Sequence, residues 1–381
     1  MKHTAAVLAI LLALAQPAAA ACLVTGEPHS VGAAAAIVME AESGEVLFAQ
    51  EIHRQLPMAS TTKIMTALLT LEQPNLQQEF TVDETAIRVE GSSMGLRQGD
   101  TVTLYALAVG MLLASGNDAA GAAAVRISGN MKAFVAEMNR RAASLGMNNT
   151  HFVTPSGLDA EEHYSTAYDM ALLARAALQN PLFAGIAASR RMTVSYGQPP
   201  YARSLLNHNR LLSLYGDAIG VKTGFTKKSG RCLVSAAERN GVTLIAVTLN
   251  APDDWHDHTA MLDYGFTRFD TVDICRAGDA VCSVPVTGGT AEAVPMHAAE
   301  SLTAALPIGH APIRVTVEAP HFLYAPVPLD RQTGEAVYSC DLDGDGAAEE
   351  IGRVALVTAA TVERRQTEQH GFFAWLKKLF R

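Results

Sequence analysis

Basic charge, cysteine and long apolar runs are all scarce in this chain of 381 residues, and each shortage excludes something. The formal net charge is −9, which argues against nucleic acid as the main partner. The only long apolar stretch near the start, Ala5 to Leu14, is too short and too rich in alanine for a transmembrane helix. Preceded by Lys2 and His3 and followed by Pro17-Ala18-Ala19-Ala20, it reads instead as a secretory signal cut after Ala20. A lipoprotein-type cut before Cys22 is the alternative, disfavoured because Ala19 stands where such sites usually want leucine. No C-x-x-C pair or His-x-x-x-His array suggests a metal site. Five cysteines in an exported chain leave at least one unpaired if all survive processing. Cys275 and Cys282 are close enough in sequence to bridge a small loop, whereas Cys232, in an apolar strand-like run, reads as a buried free thiol.

What is present is globular. Apolar residues make up 49% and charged residues 18%, and the length suggests two or so domains with a sizeable core. Ala36–Met39 and Val46–Phe48 flank Glu42-Ser43-Gly44 as a β-hairpin. Helical patterns follow at 60–69, 104–114, 119–127, 134–145 and 168–179, the last ended by Asn180-Pro181. Thr81 to Asp100 reads as loops and short strands. Strands are expected at 220–224, 230–237 and 242–249, then a helix from Asp253 to Tyr264. The pattern implies a sheet assembled from both ends of this region with helices packed on it. Beyond about Phe266 helical periodicity vanishes and short alternating runs such as Ile313–Val317 predict a small β-rich domain. Within it, Asp341–Gly346 resembles the start of a calcium loop, but Gly352 stands where the closing Glu belongs, so a hairpin turn is expected.

The last ten residues place Phe372, Phe373, Trp375, Leu376, Leu379 and Phe380 on one helical arc and Lys377, Lys378 and Arg381 on the other. Such a helix suits the surface of an anionic membrane; docking on the protein itself is the alternative.

The chemistry centres on Ser60 and Lys63, three apart at the first turn of an apolar helix and therefore on one face. A hydroxyl beside an amine is a nucleophile beside its base. The S-x-x-K spacing alone is weak, but two further motifs follow in order. Ser115-Gly116-Asn117 interrupts two apolar helices, where polar residues are costly unless they face a cleft. Lys222-Thr223-Gly224 lies on a strand, with Gly224 allowing close approach of a substrate backbone. Ser128-Gly129-Asn130 also fits S-x-N but reads as an ordinary loop before a helix.

S-x-x-K, S-x-N and K-T-G in this order are the signature of penicillin-binding proteins and serine β-lactamases. With Asn148–Phe152, Gly157-Leu158-Asp159, Ser165–Asp169 and Leu262–Phe266, the chain resembles the low-molecular-mass penicillin-binding proteins, serine D-Ala-D-Ala carboxypeptidases of the DacA type. The resemblance implies an α/β (α+β) catalytic domain of the serine β-lactamase/transpeptidase type, with helices on an antiparallel sheet. It divides the chain into a signal at 1–20, a catalytic domain at 33–266, a β-rich domain at 267–363 and an amphipathic anchor at 364–381. Ser60 would form an acyl-enzyme and Lys63 would take its proton, burial and Lys222 lowering the amine's pKa. Ser115 would relay a proton to the leaving D-alanine, and Asn117 would hold the substrate amide. Lys222 and Thr223 would bind the terminal carboxylate beside Gly224, with the backbone N–H groups of Ser60 and Phe225 as oxyanion hole.

The implied partners are the peptidoglycan peptide, β-lactams as covalent inhibitors, and an anionic membrane through residues 368–381, on the outer face of the cytoplasmic membrane. No cofactor or metal is implied. Phe225 departs from relatives with His, and Pro155-Ser156-Gly157 from relatives with Pro-His-Gly, which bears on substrate preference. A D,D-endopeptidase would use the same machinery and stays open. A class A β-lactamase would need a deacylating E-x-x-L-N, which does not occur. A non-catalytic peptidoglycan-binding protein is disfavoured by the intact motifs. A zinc peptidase is disfavoured because His256 and His258 read as part of a solvated helix start without a second ligand pair.

Overall fold

The computed structural model describes residues 31–342 and 346–366, which fall into two compact units meeting between Arg268 and Phe269. The expected signal, Cys22 and the amphipathic tail lie outside the described residues.

The first unit is built on an antiparallel sheet of five strands. They are β1 (Ala35–Glu40), β2 (Val46–Gln50), β7 (Ala218–Thr226), β8 (Gly230–Arg239) and β9 (Val242–Ala251), in the order β2-β1-β9-β8-β7. Every residue of β1 is buried, because both faces of the sheet are covered. Ala35, Ile37 and Met39 join the main core with Val234, Ile245 and Val247. Val38 and Leu244 meet the opposite helix, α8 (Asp254–Phe266), where a Cβ on Gly265 would sit 2.6 Å from Leu244 and 3.1 Å from Val38. The period-two alternation thus divides one apolar run between two cores.

The helical block lies between those strands in sequence. A 3-10 turn (Ala59–Thr62) leads into α1 (Lys63–Leu71), whose nine residues are all buried, so its hydroxyls must find partners inside. Thr66 Oγ1 donates to the Pro155 carbonyl (2.6 Å) and Thr70 Oγ1 to that of Thr66 (2.7 Å). After the short strands β3 (Phe80–Thr81) and β4 (Thr101–Val102) come α2 (Leu104–Leu112) and α3 (Asn117–Ser128). The small residues of α3 permit close approach: a Cβ on Gly121 would stand 2.1 Å from the Ala86 carbonyl oxygen. Next are α4 (Met131–Ser144), α5 (Ala167–Leu178) and α6 (Pro181–Ala188), capped by Asn130, Thr166 and Asn180. Asn130 therefore belongs to a helix start, as the Ser128-Gly129-Asn130 reading required.

Three expectations change here. Asn180-Pro181 does end one helix, but Asn180 also accepts from Leu182 N and Phe183 N, and Pro181 opens α6 at its first position. The hairpin β5 (Arg191–Gly197) and β6 (Pro200–Leu206) was not anticipated, and a short α7 (Leu211–Leu214) precedes β7. His258 is not solvated. It is fully buried, its two ring nitrogens 2.6 Å from Ser235 Oγ and 2.9 Å from Thr248 Oγ1, while His256 alone is exposed.

The second unit is all β among its described residues. It comprises β10 (Phe269–Cys275), β11 (Ala280–Thr287), β12 (Ala293–Ala298), β13 (Leu302–Pro307), β14 (Arg314–Glu318), β15 (Leu323–Tyr324), β16 (Gln332–Cys340) and β17 (Glu349–Thr358). β10 pairs with β13; the other six form a sheet in the order β14-β16-β17-β12-β11-β15, antiparallel except for β11 and β15. Its core gathers Val284, Val294, Met296, Tyr338, Val354 and Leu356. The stretch resembling a calcium loop falls in sequence between antiparallel β16 and β17, and its residues 343–345 lie outside the described residues. Cys275 and Cys282 do not bridge: both are free thiols, as are Cys232 and Cys340. One ends β10 and the other lies inside β11, so each is held by a different strand.

Candidate active site

Ser60 sits on a strained turn. Ala59, immediately before it, has φ +48°, a left-handed conformation uncommon outside glycine. Three contacts hold the turn: Thr61 Oγ1 donates to the Met58 carbonyl (2.6 Å), Thr62 Oγ1 to that of Ala59 (2.8 Å), and Gly157 packs on Ala59. Gly157 has φ +83°, and a Cβ there would lie 1.9 Å from the Ala59 oxygen.

One helical turn on, the Lys63 side chain is fully buried. Its Nζ lies 2.9 Å from Ser60 Oγ and donates to the Ser156 carbonyl (2.6 Å). Burial holds its pKa well below the ordinary lysine value, and Lys222 adds to the effect, while the Asp118 carboxylate works against it. The amine is therefore biased toward the neutral state that can take a proton from the adjacent hydroxyl.

Ser115 also adopts a left-handed conformation, φ +57°, at the break between α2 and α3. Asn117 is pinned by its backbone N–H to the Ser92 carbonyl (2.7 Å) and by Nδ2 to the Glu90 carbonyl (2.6 Å). Since a carbonyl only accepts, that contact fixes the amide orientation and leaves Oδ1, buried and without a partner, as a free acceptor. Asp118 organises the facing loop, accepting from Ser93 Oγ and the backbone N–H groups of Met94, Gly95 and Leu96 at 2.6–3.0 Å.

Lys222, Thr223 and Gly224 lie on β7, an edge strand whose outer side no other strand pairs among the described residues. Lys222 is buried; its Nζ donates to the Thr223 carbonyl (2.9 Å), and burial lowers its pKa to about 7. Gly224 is where the strand meets the serine turn: a Cβ would stand 3.0 Å from Ser60 N. Phe225, which follows Gly224 on the strand, is 66% exposed.

These elements enclose a cavity of about 290 Å³ that Ser60, Ser115, Thr223, Gly224 and Phe225 line together. Lys63 and Lys222, neighbours of the lining residues Ser60 and Thr223, are buried. Sequence reasoning missed part of the cavity wall. His208 and Arg231 also line it, Arg231 being held by Asp254 through Nε (2.8 Å) and Nη2 (2.5 Å). It also missed Asp118 and His163 as buried polar anchors, although Asp118 inside the small-residue run Asn117–Ala124 carried a signal: a carboxylate there needs donors. Among the described residues no group of three or more His, Cys, Asp or Glu is placed to hold a metal ion. The ring nitrogens of His258 are already engaged by hydroxyls, as noted above.

A serine on a strained turn, a buried amine beside it and an edge strand closing on the serine N–H define a serine acyl-transfer site. The chain belongs to the D-alanyl-D-alanine carboxypeptidase family, which matches residues 23–253. It is 30% identical over 363 residues to the D-alanyl-D-alanine carboxypeptidase DacF of Bacillus subtilis, covering 91% of this chain and 88% of that one. A D-alanyl-D-alanine endopeptidase of Escherichia coli is 30% identical over 252 residues, 65% of this chain and 80% of the relative. Among solved structures, the D-alanyl-D-alanine carboxypeptidase DacD of Francisella tularensis aligns with 92% of this chain and 98% of its own, at 25% identity and a TM-score of 0.61.

Proposed function

We propose that this protein is a serine D-Ala-D-Ala carboxypeptidase that removes the terminal D-alanine of the peptidoglycan pentapeptide. The observation that carries this reading is the buried Lys63 amine 2.9 Å from Ser60 Oγ, with a second buried lysine, Lys222, on the adjoining strand. Two like charges cannot both be held in a dry site without penalty, so one amine is neutral. Lys63, with the stronger set of depressing influences, is the base; Lys222, lowered to about 7 by burial alone, is stabilised in its protonated form once a substrate carboxylate arrives beside it.

In this mechanism Ser60 Oγ attacks the carbonyl between the two D-alanines while its proton passes to Lys63 Nζ. The oxyanion is received by the N–H groups of Ser60 and Phe225, which the absence of a side chain at Gly224 allows to come together. Ser115 relays the proton to the departing D-alanine nitrogen, and water then releases the acyl group from Ser60. Asn117 Oδ1, a buried acceptor without a donor, takes the substrate amide N–H. Lys222 and Thr223 receive the terminal carboxylate, which distinguishes a chain end from internal peptide. The free edge of β7 supports binding of the peptide as an added strand. A β-lactam mimics the dipeptide and acylates the same serine.

A D,D-endopeptidase acting on crosslinks is the second reading, favoured by the similarity to the Escherichia coli endopeptidase. The N-terminal secretory pattern and the aromatic and basic residues of 372–381 support export and attachment to the outer surface of the cytoplasmic membrane.

Labelled penicillin is expected to attach to the protein and not to Ser60→Ala; unchanged labelling would remove Ser60 from the nucleophile's role. Incubation with a pentapeptide muropeptide is expected to release D-alanine, while a crosslinked dimer stays intact. Monomers released from the dimer would replace the carboxypeptidase reading with the endopeptidase one.

A further inference from the structure

One buried titratable group beside the serine turn has no part in the mechanism above. His163 is 5% exposed and lies between the loop 153–157 and the turn 59–62. Val153 N–H donates to its Nδ1 (2.9 Å), and a backbone N–H can only donate, so Nδ1 is the acceptor and the proton resides on Nε2. Nε2–H in turn faces Thr62 Oγ1 at 2.9 Å, and Thr62 Oγ1 donates to the Ala59 carbonyl at 2.8 Å. The imidazole thus links, through the Val153 N–H and the Thr62 hydroxyl, the two pieces of backbone that shape the Ser60–Lys63 pair. One is the left-handed Ala59 turn that aims the Ser60 N–H. The other is the loop whose Ser156 carbonyl holds Lys63 Nζ (2.6 Å) and whose Pro155 carbonyl is tied to Thr66 (2.6 Å).

We propose that His163 is a positioning residue for acylation: in a single fixed tautomer it clamps the Ser60 turn, through Thr62, to the loop that orients the Lys63 amine. The proposal rests on Ser60 being the acylated residue. Two titratable groups act on the imidazole from the elements packed around it. They are His151 and Asp159, both on the loop side. Burial and His151 lower the imidazole's pKa to about 4, with Asp159 opposing, so the neutral clamp persists across the physiological range. A second proton would place an N–H on Nδ1 against the Val153 N–H and open the loop side.

The two halves of the clamp can be separated. In His163→Asn the side-chain oxygen reaches the position of Nδ1 and keeps Val153, but Thr62 loses its donor. In His163→Gln the amide nitrogen reaches the position of Nε2 and keeps Thr62, but Val153 is freed. Acylation of the full-length protein by labelled penicillin, measured against pH, reads both. Each variant is expected to acylate about 10- to 100-fold more slowly, because a misplacement near 1 Å costs that much in a positioned reaction. The acid limb should stay in place for His163→Asn. It should move to lower pH for His163→Gln, since loosening the Ser156 carbonyl removes an acceptor that favours the protonated amine. Rates within twofold of wild type with superimposable profiles would overturn the clamp. If neither variant folds, Thr62→Val, which keeps the histidine and its Val153 contact, decides. A tenfold loss with an unshifted acid limb supports the proposal, and wild-type acylation refutes it. Failure of wild type itself to label would instead refute Ser60 as nucleophile, a separate outcome.

Discussion

The two units of the chain bury different things. Among the described residues, the catalytic unit buries lysines, aspartates, histidines, asparagines and many serines and threonines, whereas Thr358 is the single buried serine, threonine, amide or charged side chain of the β unit. The β unit follows the ordinary economy of a half-buried sheet: alternating apolar residues point inward and little else is enclosed. The catalytic unit departs from it, and departs most around one point, where Lys63, Ser115, Asn117, Asp118, Ser156, His163 and Lys222 are all nearly out of water. Burial of that kind destabilises unless each group is satisfied. Most of these groups are, by carbonyls and backbone N–H groups of neighbouring loops. The exception, Asn117 Oδ1, lies in the motif that faces the cavity. The contrast separates packing for stability from packing for a poised chemical state.

The sharpest way to break the contrast is to remove the poised amine. Lys63→Met keeps the length and burial of the side chain but removes the amine proposed as the base. Acylation by labelled penicillin is expected to fall by about 10² to 10⁴, the usual worth of a general base. Thermal stability should rise or stay level, because a buried ionisable group has been replaced by an apolar one. A large loss of stability with near-normal acylation would invert the comparison.

In the β unit the expectation is the reverse. Leu356 is fully buried in its core, and Leu356→Ala should cost about 2–5 kcal/mol of that unit's stability, as cavities of this kind do. Calorimetry should show the loss in one transition while penicillin acylation is unchanged; impaired acylation would show that the units are coupled.

The third test uses acid. Burial lowers the pKa of His163 to about 4 and that of His258 to about 3, whereas an unfolded histidine titrates near 6.5, a reference value. Between these limits the unfolded chain binds protons that the folded one refuses, so stability rises with pH. It is full above about pH 6.5 and declines toward pH 4 with a slope of about 1.4 kcal/mol per pH unit for each histidine. The β unit has no buried histidine among the described residues, so its transition should lack this contribution. Denaturant titrations at pH 7, 6 and 5 with His258→Gln as control would show it, and equal slopes in wild type and variant would refute it.

Much of the catalytic architecture was legible beforehand because it is written in local signals. Helices α1, α2, α4 and α5 show apolar periodicity or caps, β8 and β9 flank an Asn-Gly turn, and two of the three motifs, those of Ser60 and Ser115, stand at element ends where polar residues look out of place. The β5–β6 hairpin escaped because only Val194, Tyr196, Gly197 and Leu205 of it are buried, too few to make an alternation visible. His258 escaped because a polar sequence around it, Asp253 to His258, looks solvated. Only the facing hydroxyls of Ser235 and Thr248, 23 and 10 residues away in the chain, make its burial tolerable.

The Ser60–Lys63 pair itself divides in the same way. Three-residue spacing on a helix start places the two side chains on one face whatever the rest of the chain does, so their proximity was available from residues 60–63 alone. Their chemical state was not. The neutral bias of Lys63 depends on exclusion of water by the core and on Lys222, 159 residues later in the numbering, opposed by Asp118. The approach of the β7 backbone to the Ser60 N–H depends on Gly224, and the holding of the amine depends on the carbonyl of Ser156. Spacing is a property of covalent geometry and survives in the sequence; desolvation and long-range charge are sums over neighbours, and only the folded chain assembles them.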